Sequence, residues 1–430
     1  MISRKSNDVV DSSTRIQITL TNNKFIMKRT FTVAAIMFMT AMLAKAETSE
    51  LMTEPVAEEP ASDVTEVTYN LDTDMGTLES KKPLLPSPAA PATDKDKDFN
   101  YWSQAVLSRV KVTAYAQGGY TATFNEDGPN SNTFDLKRMV LMVGADIAPH
   151  FYAFFMHEFK SGAVQEYYME YRPCKALNFR LGQSKIELSM ENPLSPTILE
   201  SISCSSQSVA WFCGSDPLMS NPSGRDLGLM MYGNLFNDKL RYVVELVNGG
   251  QINKVDGNNQ KNVIAKLEYK VIPTLKLSVS GQKGYGCAVT ASPYNPTIAV
   301  GETYRQNRYA AGFEWRACAK PIDYWRNRCT TVRCEALGGE DGDVGSFGIY
   351  GAATIPVYKQ LDVVAVADYF NRNTDMRLKQ TNLTLGLQYW IHKKCRLQMQ
   401  YAYSIKNESM KAFTGLGNYS QLLSQVQVAF

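Results

Sequence analysis

The chain ends on Tyr419-Ser-Gln-Leu-Leu-Ser-Gln-Val-Gln-Val-Ala-Phe430. Counted back from the end, Phe430, Val428, Val426 and Leu422 fall on one face of an extended strand, and Gln427, Gln425 and Gln421 on the other, because side chains alternate with a period of two. One face is aliphatic with a terminal aromatic, the other is rich in glutamine, and neither carries a charge. A soluble edge strand is normally blunted against stray pairing by charge or proline, and this one has neither. The pattern suits a strand paired on both sides, with lipid against one face and water against the other. A final strand of a soluble β-sandwich fits the same stretch, so the rest of the chain has to decide.

Working outward, the same alternation recurs. Leu397, Met399, Tyr401, Tyr403 and Ile405 alternate with polar or small neighbours, as do Leu383, Leu385, Leu387, Tyr389 and Ile391. Tyr309, Ala311, Phe313 and Trp315 behave alike, and so do Val110, Val112, Ala114 and Ala116. These read as strands with one apolar and one polar face. The connections alternate too. Short turns are expected at Pro149-His150, Cys174-Lys175, Phe236-Asn-Asp238, Ile272-Pro273, Cys318-Ala-Lys320, Val357-Tyr-Lys359 and His392-Lys-Lys394. Longer polar loops are expected at 125–133, 161–163, 187–225, 249–261, 285–305, 337–343, 371–377 and 406–418. Seven turns and eight loops make sixteen strands. The expected fold is therefore all-β: a 16-stranded antiparallel transmembrane β-barrel over 101–430, with short turns on one rim and longer loops on the other. Tyr171, Tyr269, Trp315, Tyr389 and Trp390 near strand ends suit a membrane interface.

Bulk composition agrees. Charged residues make up 20% of the 430 and aromatics 11%, and no apolar run approaches the roughly 18–20 residues of a helical span. An ordinary helical membrane protein is excluded. The net charge of +3 conceals three regions. Residues 1–46 hold seven Lys or Arg against two Asp or Glu, 47–100 hold four against thirteen, and 101–430 hold 34 against 27. No basic stripe with interleaved aromatics marks a nucleic-acid surface.

Residues 27–46 carry a basic start at Lys28-Arg29, a short apolar core from Phe31 to Leu43, and Ala44-Lys45-Ala46 at the end. That is the pattern of a secretory signal peptide. Translation is expected to begin at Met27, leaving 1–26 as a non-native N-terminal extension. No Cys follows the cleavage site until Cys174, which excludes a lipid-anchored N-terminus. The tract 47–100 is acidic and Pro-rich and lacks the apolar content to offset the entropy of ordering. It reads as a disordered periplasmic segment, with no folded plug domain.

Four motifs point to a family. They are Phe-Asp-Leu-Lys-Arg-Met-Val-Leu-Met-Val-Gly (134–144), Ala-Val-Gln-Glu-Tyr-Tyr-Met-Glu-Tyr-Arg-Pro (163–173), Leu-Asn-Phe-Arg-Leu-Gly-Gln-Ser-Lys-Ile (177–186) and Gly-Arg-Asp-Leu-Gly-Leu-Met-Met-Tyr-Gly (224–233). In this order they resemble the phosphate-selective porin O and P family of Gram-negative outer membranes. The Phe430 ending also resembles outer-membrane barrels, which implies engagement of the last strand by the barrel-assembly machinery. The resemblance implies a homotrimer in outer-membrane lipid, passing small anionic solutes such as phosphate through a Lys/Arg-lined pore. The chain departs from the pattern in one respect. Residues 187–225 hold only Arg225, beside Glu191, Glu200, Asp216 and Asp226, so a general or weakly anion-preferring porin is the safer expectation.

By parity, Lys111, Arg138, Arg180, Arg241, Lys266, Lys276, Arg308, Arg316 and Arg396 fall on the water-facing side and are the expected pore-lining cations. On the lipid face each would cost roughly 2–4 kcal/mol. Glu166, Glu170, Glu245, Glu268 and Glu314 share that side and partly cancel the field. The long loop 187–225 carries Leu194, Ile198, Leu199, Ile202, Val209, Trp211, Phe212, Leu218 and Met219, which suits a segment folded into the lumen. Cys204 and Cys213 are positioned to staple it, as an oxidising periplasm permits. The eight Cys show no metal-binding spacing, so neither a metal nor another cofactor is expected. An enzyme is not expected either. His150 and His392 fall at short turns and His157 within a strand, none beside a Ser and an acid. The alternative to a porin is a non-conducting barrel acting as an adhesin or binding protein.

Overall fold

The computed structural model describes residues 109–430 apart from 222, 251, 321 and 323–326, together with the backbone of Glu66–Tyr69 and Leu78–Lys81. The extension 1–26, the signal segment 27–46 and most of 47–100 lie outside the described residues. Within the acidic segment, Glu66–Tyr69 pairs antiparallel with Leu78–Lys81.

The remainder is one closed barrel of sixteen strands. In chain order these are β1 (Val110–Asn125), β2 (Ser131–Ala148), β3 (Phe151–Glu158) and β4 (Ala163–Cys174). Then come β5 (Leu177–Lys185), β6 (Arg225–Leu235), β7 (Leu240–Val247) and β8 (Asn262–Ile272). They continue as β9 (Leu275–Cys287), β10 (Thr303–Arg316), β11 (Thr331–Asp341) and β12 (Val344–Tyr358). The last are β13 (Leu361–Asn371), β14 (Lys379–His392), β15 (Cys395–Lys406) and β16 (Tyr419–Ala429). Each strand pairs antiparallel with its sequence neighbours, and β16 closes on β1 with Gln427 opposite Gln117 and Leu422 opposite Ala122. Phe430 seals the seam: its backbone N–H donates to Ala114 O at 3.0 Å, and its carbonyl accepts from Ala114 N at 3.1 Å. No edge is left unpaired, which is what lets strands cross lipid.

Alternation sorts the two faces. On β16, Val426 and Val428 are half exposed while Gln425 and Gln427 are buried. On β14 and β15, Leu383, Leu385, Leu387, Leu397, Met399 and Tyr401 stand outward. A continuous apolar exterior of this extent belongs against lipid, so the barrel is transmembrane.

The rims follow the expected alternation of connections with two differences. The turn expected at Cys318-Ala-Lys320 is a longer excursion, 317–330, drawn together by a disulfide between Cys318 and Cys329 and by Ala317 N–H donating to Thr330 O at 2.8 Å. The loop expected over 337–343 is only a tight turn, because β11 runs on to Asp341 and Gly342, at φ +64°, reverses the chain at once.

Candidate functional site: the lumenal loop and the charged inner wall

The 39-residue connection between β5 and β6, 186–224, does not stay at the rim. Its apolar residues are among the most buried in the molecule: Leu188 and Val209 are 0% exposed and Phe212 1%. They pack with Val247, Ile264, Ala310, Leu337, Tyr350 and Phe370, which point inward from β7, β8, β10, β11, β12 and β13. An inner wall facing only water would carry polar residues at those positions. Apolar residues at inward parity are the footprint of the loop, and burying them is what draws it inward.

Polar pins complete the seat. Glu335 on β11 accepts from Ser189 Oγ at 2.6 Å, Met190 N at 2.9 Å and Tyr350 Oη at 3.1 Å. On β9, Ser280 Oγ donates to Leu188 O. The far end of the loop is held from the opposite wall. Arg396 donates to Pro196 O at 3.2 Å and Leu199 O at 3.0 Å, and Gln400 donates to Glu200 O at 2.7 Å. Gln400 Oε1 also accepts from Ile202 N at 2.9 Å. Gln427 donates to Thr197 O at 3.2 Å and Gln117 to Pro196 O at 3.1 Å. Contacts thus run from β7–β13 on one side to β15, β16 and β1 on the other. The loop crosses the bore.

Of the nine cations chosen by parity, six are matched by carboxylates. Arg180 meets Glu170 at 2.6 Å, and Tyr232 Oη donates to the same carboxylate at 2.9 Å. Arg241 meets Glu187 at 2.7 Å and Glu268 at 3.2 Å. Lys266 meets Glu187 at 2.9 Å, and Lys276 meets Glu268 at 3.5 Å. Arg308 lies between Asp341 at 3.1 Å and Asp216 at 3.4 Å, and also donates to Phe212 O. Arg316 pairs with Glu314 at 2.6 Å. Arg138 donates to Gln117 Oε1 at 3.2 Å, and Arg396 is spent on Gln388 and the loop carbonyls. Lys111 is exposed, near the short-turn end of β1 opposite Gly144. Parity missed Arg225, which pairs with Glu166 at 2.8 Å, and Arg333, which meets Glu200 at 3.1 Å and Glu314 at 3.4 Å. Arg333 alternates inward with Thr331 and Glu335, a signal available in the sequence. Three of these carboxylates, Glu187, Glu200 and Asp216, belong to the loop itself, so the cations serve to fasten it.

The loop carboxylates feel opposite fields. Burial alone would raise Glu187, but Arg241 and Lys266 hold it down to about 2. Burial pushes Glu191 up to about 8 against the pull of Arg333. Asp216 is also pushed up, by burial and by the neighbouring Asp341.

The expected Cys204–Cys213 staple is not formed: both are buried free thiols, and the bridge is Cys318–Cys329. The physical reason is that the two ends of the loop dock on different parts of the lumen. Cys204 packs with Leu194, Ile198 and Leu199, whereas Cys213 packs with Val209, Phe212 and the wall. Of the C-terminal signature, Val426, Val428 and Phe430 stand exposed on the outward face and Leu422 is half-buried.

No protein-family model matches the chain, and no curated protein matches it. Solved structures do. OprB of Pseudomonas putida superposes with a TM-score of 0.54 at 10% identity, over 77% of this chain and 96% of that one. An anion-selective porin from Comamonas acidovorans gives 0.52 at 12% identity, over 75% and 99%. The outer-membrane channel DcaP of Acinetobacter baumannii gives 0.51 at 12% identity, over 74% and 97%. At these identities the likeness is one of fold, and that fold is the sixteen-stranded barrel of outer-membrane porins and channels.

Proposed function

We propose that this chain is an outer-membrane porin that lets small hydrophilic solutes diffuse passively through a bore narrowed by 186–224. The observation that carries the reading is the inward fold of that loop across a charged, polar lumen. Because carboxylates match most of the lumenal cations, selectivity among ions is weak along most of the wall and leans towards anions, phosphate included, where cations are left over. The strand seam at Phe430 supports recognition of the last strand by the assembly machinery, and the apolar exterior supports a place in outer-membrane lipid, where the porin resemblance implies a homotrimer. In the same reading 27–46 directs export and 47–100 remains periplasmic.

The test is single-channel conductance of the folded barrel in planar bilayers, with the reversal potential read under a KCl gradient. Discrete steps with a reversal potential of the anion-favouring sign are expected. Silence from a correctly folded barrel would overturn the diffusion reading. That outcome would favour the second one, a closed surface-binding barrel, to which the loop pins on both walls also lend weight.

A further inference from the structure

A chain of buried contacts leads from the short-turn rim to the lumenal loop. It starts at the Cys318–Cys329 disulfide, beside which Arg328 makes an ion pair with Asp362 near the start of β13. The same carboxylate accepts from Gln388 Nε2 at 3.0 Å and from Trp390 Nε1 at 2.9 Å, both on β14. Each of these leads on to Arg396 of β15. Arg396 Nη1 donates to Gln388 Oε1 at 2.9 Å, and the guanidinium lies 5.2 Å from the centre of the Trp390 ring. Arg396 Nη2 holds the carbonyls of Pro196 and Leu199, and its Nε donates to Gln427 Oε1 at 3.2 Å. Gln427 in turn donates to Thr197 O.

Strand register sets this row. Asp362 lies opposite Gln388, Trp390 opposite Arg396 and Arg396 opposite Gln427, so neighbouring strands pass the contact sideways round the wall. Asp362, Trp390 and Arg396 are each 1% exposed. Polar groups this deeply buried depend on their partners, and the loss of one leaves the next unsatisfied. Gln388 shows how the dependence travels. Its amide N–H points at Asp362, which turns the amide oxygen towards Arg396. Arg328 supplies the positive charge that offsets the burial of Asp362. Arg328 itself stands outside any strand, three residues before β11 begins. It is fixed by the bridge at the adjacent Cys329 and by the Ala317–Thr330 bond beyond it. Opening such a ring restores conformations that the cross-link removes. At the far end, Cys204 is a buried free thiol packed with Leu194, Ile198 and Leu199, while Cys213 sits at the loop's other seat with Val209 and Phe212.

We infer that Arg328 is a positioning residue for the lumenal loop and that the Cys318–Cys329 bridge is a redox latch upon it. A dithiol reductant opens the bridge, Arg328 leaves Asp362, and the tip of the loop at 196–204 loosens through the contiguous row. The protein S–S bond breaks and both sulfurs become thiols. The dithiol gives up two electrons and two protons and closes to a cyclic disulfide. The latch deepens the porin reading, resting on it for the effect on current but not for the movement of the loop.

Maleimide labelling of the folded barrel in detergent, mapped by mass spectrometry of its peptides, tests the latch. Removing the bridge with Cys318→Ser and Cys329→Ser together is expected to label Cys204 about tenfold faster, the worth of one charge-assisted contact. Cys213 should keep its wild-type rate. Arg328→Gln with the bridge intact should speed Cys204 alike, and dithiol treatment followed by desalting should then add nothing. Gln388→Leu interrupts the row from the barrel side and should match them. Heat-modifiable migration confirms that each variant has folded. An unchanged Cys204 rate in either the bridge variant or Arg328→Gln overturns the latch. So does a rise shared equally by Cys213, which marks general opening of the loop. In planar bilayers, dithiol added on the short-turn side should raise current noise in wild type and not in Arg328→Gln. Faster Cys204 labelling in a barrel that passes no current leaves the latch standing and removes only the diffusion reading.

Discussion

Glu191 is a fully buried carboxyl in the lumenal loop, and its Oε1 accepts from Ser206 N at 2.6 Å. Its pKa, raised to about 8, means the folded loop holds a proton that the unfolded chain releases near its ordinary value of 4.5. The stability this contributes is fully present below about pH 4.5 and is lost as pH rises through about 8. Glu187 runs the other way: held at about 2, it contributes above its ordinary range and is lost only as pH falls towards 2. Glu191→Gln is therefore expected to flatten the fall in stability between pH 5 and 8, read as urea midpoints across that range. An unchanged slope would remove Glu191 as its source. Parity in the sequence picks out charges by strand face but says nothing of their partners. Arg333 and Glu200 are 133 positions apart, and nothing local in either segment announces the other.

At the scale of elements, the loop is the feature with most to lose. Gln400 holds its far end through two bonds, one accepted and one donated. Gln400→Ala removes both without altering charge: Ile202 N–H is left to find water, and Glu200 O keeps only the longer bond from Gln398 at 3.3 Å, at a cost of about 1–3 kcal/mol. The expected result is larger and noisier single-channel conductance; steps identical to wild type would show that this end of the loop does not set the bore. The loop's length and apolar content were legible in the sequence and pointed inward. Its anchors were not, because an inward Ile264 or Leu337 reads only as a lapse in alternation. The Gly338–Gly339 pair read as loop for a similar reason. Gly338 lies inside β11 because the Tyr309 ring covers it: a Cβ there would sit 2.5 Å from the hydroxyl oxygen. Composition reports the glycine but not the ring on the neighbouring strand.

For the whole molecule, strand number and closure were legible because they depend on counting connections and not on exact boundaries. The outward face makes a further demand. Leu385 is 62% exposed on β14, so Leu385→Arg is expected to cost roughly 2–4 kcal/mol in a bilayer, seen as a lower urea midpoint in vesicles. No loss would mean this face does not meet lipid. The seam between β16 and β1 bears on time as well as on shape. Gln117 and Gln427 are hydrogen-bonded across 310 positions, and the loop carbonyl of Thr197 waits for the same glutamine across 230. Contacts of such separation form late, since the chain between them must first be brought round. Until the final residues arrive, two sheet edges and the lumenal loop lack their last partners together. Cylinder and constriction therefore mature in one concluding event, and a chain truncated by a dozen residues forfeits both.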